Sequence, residues 1–185
     1  MKIRRTYAVA ALAIAAALTI GSLALAARLA GPQPIPQTTT FSATLYGFHE
    51  TPSVSSHGFG EFAAGLTNSA TIHYVFHYGG LEGGTSLFAH IHFGQVGVAG
   101  GVSAFLCGGS TKPTPCPNVT GTVEGDITAA DVVGPNAQGI EPGSFGELLA
   151  AMRAGQAYVN IHTTRWPAGE IRGQINNPDQ KEFGS

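Results

Sequence analysis

The chain has 185 residues, 43% hydrophobic and only 11% charged, with a formal charge of −2. That length suffices for one domain with a real core, and the sparse, acidic-leaning charge lacks the basic footprint that nucleic-acid phosphates require. Two cysteines are too few for a disulfide-dense scaffold.

Residues 1–30 read as a signal peptide or an N-terminal membrane anchor. Lys2, Arg4 and Arg5 precede an uncharged run from Tyr7 to Ala27, and Ala24 and Ala26 offer a small-x-small cleavage pattern. The run of 21 residues is also long enough to span a bilayer, so cleavage and retention both remain open. Either fate leaves the basic residues on the inner side and carries the rest of the chain out of the cytoplasm. The expected location is secreted, periplasmic or extracellular, or membrane-anchored with the domain outside, and this segment is the only expected membrane contact. Without its three basic residues, six Lys and Arg face eleven Asp and Glu, a formal charge of −5. The exported part is thus more acidic than the whole chain.

Residues 31–40, GPQPIPQTTT, form a Pro-rich linker, 41–176 form the domain, and 177–185 form a polar tail. FSATLYGF places Phe41, Ala43 and Leu45 on one face of a first strand, and GFGEFAAGL gives a second, weakened by its glycines. In TIHYVFHYGGL, a period of two puts Ile72, Tyr74, Phe76 and Tyr78 on a core face, with His73 and His77 opposite. SLFAHIHF resumes the alternation, with Ala89 and Ile91 opposite Phe88, His90 and His92. The glycine-rich GQVGVAG that follows has no lysine and no Rossmann unit beside it, so it carries no nucleotide-binding role.

GVSAFL is the next strand, and Cys107 and Cys116 then bracket an eight-residue excursion, GGSTKPTP. A disulfide is the default outside the cytoplasm, with free thiols or a metal pair as alternatives. VTGTVEGDITAADVVG supplies a strand with a bend. EPGSFGELLAAMRAGQ reads as the one helix, with Ser144 and Glu147 spaced as a capping box and Gly155 as its stop. Ala157 to Thr163 and Glu170 to Asn176 are the last strands. The expected fold is all-β, an antiparallel Greek-key β-sandwich or related barrel with one short helix.

FSATLYGFHETPSVSSHGFGEFAAGL, IHYVFHYGGLEG, AHIHFGQVGVAGGVSAFL and FGELLAAMRAGQAYVNIHTTRWPAGEIRGQI together resemble the chordin-type (CHRD) domain family from Phe41 to about Ile175. The resemblance implies an exported, mainly β domain of Greek-key sandwich type, standing alone behind a signal peptide as in bacterial members. Nothing here resembles the cysteine-rich growth-factor-binding modules that accompany such domains in animal chordins. Their partner specificity is therefore not carried over, and sandwich folds host many unrelated sites.

Five of the seven histidines fall in three short segments. His90 and His92 share a strand face roughly 6.5–7 Å apart at the backbone, so two imidazoles can converge on one ion. His162, beside Asn160 in the last family-like motif, is the candidate third ligand; three imidazoles suit zinc or copper with a fourth position open. Asn160 and Glu170 are candidate supports for these rings, although Glu170 can equally pair with Arg172 at the surface. The alternative is a hydrogen-bonding network or interface in which the histidines hold no metal. His73 and His77 are about 13 Å apart along their strand, too far for one ion.

Trp166 and Arg172 are candidate contacts for a partner, either an extracellular protein or a small ligand. The chain lacks the HExxH helix of metalloproteases and any evident Ser-His-acid relay. The expectation is an exported CHRD binding or structural domain, with a zinc or copper ion on the three histidines as one option beside the metal-free network. The alternative is a metal-dependent redox or hydrolytic enzyme using the three histidines.

Overall fold

Alternation of apolar and polar residues at period two turns most of the domain into strands, and a computed structural model of the protein describes residues 38–176. The expected signal or anchor segment, residues 31–37 of the linker and the 177–185 tail lie outside the described residues. The strands are β1 (Thr40–Tyr46), β2 (Phe59–Asn68), β3 (Thr71–Gly79), β4 (Ser86–Phe93), β5 (Gly101–Cys107), β6 (Gly121–Ile127), β7 (Ala157–Thr163) and β8 (Ile171–Gln174). Among the described residues one α-helix, α1 (Phe145–Arg153), precedes β7. Among the described residues no helix is long and apolar enough to cross a membrane.

All eight strands belong to one antiparallel sheet in the order β5-β4-β7-β8-β1-β2-β3-β6. Of the two architectures expected, the barrel is the one formed: β5 and β6, the ends of the sheet, come against each other without a ladder between them. Side-chain and loop groups serve the seam instead. The Tyr74 hydroxyl reaches from β3 to donate to Leu106 O at 2.8 Å, Val133 N–H donates to Ser103 O, and Ala104 forms an isolated bridge with Val132. The Cys107–Cys116 disulfide, with Cα atoms 5.2 Å apart, ties the end of β5 to the segment before β6. Closing so short a loop stabilises the fold by about 2–3 kcal/mol, mainly by restricting the unfolded chain.

The barrel interior holds Leu45, Phe62, Ile72, Phe76, Ile91, Val159, Ile161 and Ile171, each at most 1% exposed. Burying a side chain of this size contributes about 1.5–3 kcal/mol. Helix α1 adds Leu148 and Met152 from its buried face. Ser144 stands at its N-cap, but no hydroxyl cap bond forms, contrary to the capping-box reading; Glu147 and Leu148 N–H both donate to the Ser144 carbonyl. The capping box of this domain is Thr128 with Asp131, in a single helical turn before α1. At the other end Gly155, at φ +67°, lets the chain reverse, with Gly155 N–H on Met152 O and Gln156 N–H on Ala151 O.

The two halves of the sheet differ. Strand β3 and the first half of β2 alternate buried with exposed or half-buried positions, and β6 alternates half-buried with exposed ones as far as buried Ile127, whereas every residue of β7 and β8 is buried. The outer surface of β4, β7 and β8 lies beneath three connections, residues 47–55, 94–100 and 164–169, which hydrogen bond to its side chains.

Candidate metal centre

The β4–β7 ladder pairs His90 with Asn160, His92 with Tyr158 and Phe88 with His162. Period two puts Phe88, His90 and His92 on the same outward face, and Tyr158, Asn160 and His162 on the matching face of β7. His162 is therefore a diagonal neighbour of His90, within reach of an imidazole. On the other side of β4 the register with β5 shifts between Ala89 and His90 and again between Ile91 and His92. Such irregularities re-aim side chains, and here they flank both histidines.

The three rings converge. Ring centroids are 4.8 Å apart for His90 and His162, 5.1 Å for His90 and His92, and 6.1 Å for His92 and His162. One ring nitrogen from each lies within 4.8 Å of the other two. Four-coordinate zinc with ligands at 2.0–2.1 Å needs nitrogens about 3.3 Å apart, so side-chain rotation must draw the rings together.

Backbone carbonyls engage the outer nitrogens of His92 and His162. His92 donates through Nδ1 to Gly100 O and His162 donates through Nδ1 to Pro167 O, both at 2.9 Å, so each neutral ring keeps its lone pair on Nε2. His92 Nε2 and His90 Nδ1 are buried without a hydrogen-bond partner. Asn160 Oδ1 lies 3.0 Å from His162 Nε2, so the amide sits against that ring's inward nitrogen. Burial, then the neighbouring His162 and His92, lowers the His90 pKa to about 3; burial lowers His92 to about 4 and depresses His162 as well. His90 and His92 each keep a buried ring nitrogen without a hydrogen-bond partner, while His162 Nε2 faces Asn160 Oδ1, so a divalent cation bound by all three rings would have to displace that amide contact.

The surroundings hold these rings in place. Phe88 and Phe105 pack on His90 at centroid distances of 4.8 and 4.6 Å. Tyr158 lies flat on His92, 4.7 Å between centroids and 1° between planes, and its hydroxyl accepts Gly100 N–H at 3.1 Å. The same tyrosine therefore fixes the plane of His92 and the residue whose carbonyl fixes its tautomer. The Arg172 guanidinium carbon stands 3.4 Å from the Tyr158 ring centre, and its nitrogens donate to Gln95 O and Thr51 Oγ1, binding two of the covering connections to the sheet.

Two sequence expectations need correction. Glu170 supports no histidine and makes no surface pair with Arg172: it is fully buried and accepts hydrogen bonds from Ser56 Oγ, Glu82 N–H, Gly83 N–H and Thr163 Oγ1. It turned inward because the start of β8 packs under the 82–83 turn, where four donors require one acceptor group. Arg172 is 1% exposed, so it is a buried clamp and not a surface contact for a partner. Trp166 is half-buried with the Arg165 guanidinium 4.6 Å from its ring centre. Asn160 does contact the cluster, and Cys107 and Cys116 are joined.

Sequence reasoning missed Tyr158 and Glu50. Tyr158 was accessible, since it shares the period-two face of Asn160 and His162. Glu50 gave no signal: it comes from a connection 110 residues away, where its Oε1 receives Asn160 Nδ2 at 3.4 Å. Burial pushes its carboxyl up to about 7.

A family model described as CHRD domain matches residues 41–175. No curated protein and no solved structure matches the chain.

Proposed function

The chain belongs to the CHRD-domain family, and from that membership we propose that it is an exported binding domain holding one copper or zinc ion on His90, His92 and His162. The observation that carries this reading is the convergence of three buried, neutral imidazoles, two of which donate their outer N–H to backbone carbonyls. That arrangement is how metal-ligating histidines are normally oriented. His90 Nδ1 and His92 Nε2 are buried without a hydrogen-bond partner, which supports the same reading.

An all-imidazole set suits zinc and copper, and at a given nitrogen site copper(II) binds more tightly than zinc(II). Cysteine ligation is excluded at this site by the disulfide. The disulfide and the N-terminal apolar run favour an oxidising location outside the cytoplasm, and a partner there is an extracellular protein or small ligand.

A metal-dependent redox or hydrolytic activity is the second reading. Three convergent protein donors favour it, because catalytic sites keep one position open whereas structural sites are closed.

Titrating the dialysed, metal-free protein with copper(II) and with zinc(II) tests the primary reading. Elemental analysis is expected to show close to one ion per chain, lost when all three histidines become alanine. Retention of less than a tenth of an ion under both conditions, or equal retention by the triple variant, would sink both readings. Single variants that lose turnover and an exchangeable water together would select the enzyme.

A further inference from the structure

Beside the histidine cluster lies a separate cavity of about 460 Å³, between the connection that follows β1 and the turn that precedes β8. Glu50, Thr51 and Ser53 line it from one side, and Arg165, Trp166 and Pro167 from the other. None of the three clustered histidines is in its lining. Its size lies within the range of small-molecule pockets.

Two side chains of opposite charge border this space, and among the described residues neither takes part in an ion pair. The Glu50 carboxylate is under-satisfied: it accepts Thr51 N–H at 3.2 Å and the long contact from Asn160 at 3.4 Å. A carboxylate offers about four acceptor positions, so capacity remains for a donor arriving from the cavity. Burial raises the same group to about 7, and the Thr51 and Asn160 hydrogen bonds and the charge of Arg172 offset this only in part. Gly169 preserves this position. A Cβ there would collide with Glu50 Oε1, and its φ of +130° already favours glycine.

Arg165 supplies the opposite charge. Its backbone N–H is held by Gly83 O, and its guanidinium lies over the Trp166 ring. Glu82 feels the Arg165 charge, but its own carboxylate is engaged by His57 Nδ1 at 2.7 Å. A simple cation in the cavity would face Arg165 and a simple anion would face Glu50. A ligand bearing both charges satisfies both walls.

We propose that this cavity binds a small zwitterion, with an ammonium group on Glu50, a carboxylate on Arg165 and Trp166 as the wall beside it. The cavity shares no histidine with the cluster, although its lining reaches the cluster from Glu50 through Asn160 and from Pro167 to His162, and titration of the metal-free protein reads the cavity whether or not the cluster takes an ion.

Trp166 is the only tryptophan in the chain, so its fluorescence reports on the cavity directly. The metal-free protein is titrated with glycine, β-alanine and 4-aminobutyrate, which step the distance between the charges, and with butylamine, butyrate and glycerol as comparisons. At least one zwitterion is expected to give a saturable change, with each comparison compound binding about tenfold more weakly or less, a difference of about 1.4 kcal/mol. Glu50→Gln and Arg165→Gln are each expected to lower that affinity by a similar factor. Arg165 is exposed, so its substitution keeps the test intact even if Glu50→Gln does not fold. No saturable response to any zwitterion up to about 10 mM, well above a 1 mM Kd (−4.1 kcal/mol), would overturn the proposal. Equal binding of a single-charge compound or glycerol, or wild-type affinity in Arg165→Gln, would overturn it as well.

Discussion

His73 and His77 on β3 and His90 and His92 on β4 all point outward from the same sheet, yet their surroundings differ entirely. The first pair is exposed, His73 against Asp126 and His77 against Thr122, on a half whose outer surface meets solvent. The second pair is under 10% exposed, because three connections cross the outside of β4, β7 and β8. Coverage, and not strand position, separates a solvated histidine from a candidate ligand. It removes water from the rings, lowers their pKa values and leaves their inward nitrogens without partners.

The largest expected effect comes from unpinning the covered half. Glu170→Ala strands four donors at the start of β8 and is expected to cost about 3–5 kcal/mol, read by urea unfolding. A loss below about 1 kcal/mol would show that the covered half does not depend on this carboxylate. Within the cluster, Asn160→Ala removes the amide that competes with an ion for His162 Nε2 and is expected to tighten copper or zinc binding by about tenfold, about 1.4 kcal/mol. Unchanged affinity in an equilibrium titration would remove Asn160 from the site.

At the seam that bounds the two halves, Lys112→Met tests the contact of Lys112 with Asp131. Burial alone would raise the Asp131 carboxyl, but hydrogen bonds from Lys112 and from Thr128 outweigh it and hold the pKa below its ordinary value. The resulting stability is present above the unfolded-state value near 3.9 and is lost as pH falls through the lower folded-state value. The wild type should therefore exceed the variant by about 1 kcal/mol at neutral pH, with the gap closing in acid. A gap that persisted to pH 2 would contradict this. The smallest effect belongs to the exposed half, where His73→Ala and His77→Ala should each change stability by no more than about 0.5 kcal/mol and leave metal binding untouched.

Strand alternation made much of this fold legible before any coordinates. Ile72, Tyr74, Phe76 and Tyr78 line the interior as their period of two requires, and His90 and His92 share one face for the same reason. The convergence of His162 was legible only as a nomination, because the diagonal β4–β7 register that delivers it joins segments about 70 residues apart. Glu170 misled for a related reason: a short G-E-I-R stretch looks like a surface ion pair until the 82–83 turn is placed over it. Burial on both faces of β8 was invisible in Arg172 and Gln174, two residues that locally read as solvent-facing. Ser144 shows the limit of a local motif, since its spacing was right and its hydroxyl makes no cap.

X-ray absorption spectroscopy of the copper- and zinc-loaded protein tests the central claim most directly. The account predicts three imidazole nitrogens at about 2.0–2.1 Å around one ion, with one imidazole lost in each of the His90→Ala, His92→Ala and His162→Ala variants. A bound ion with fewer than three imidazoles, or a sphere unchanged by all three substitutions, would contradict it.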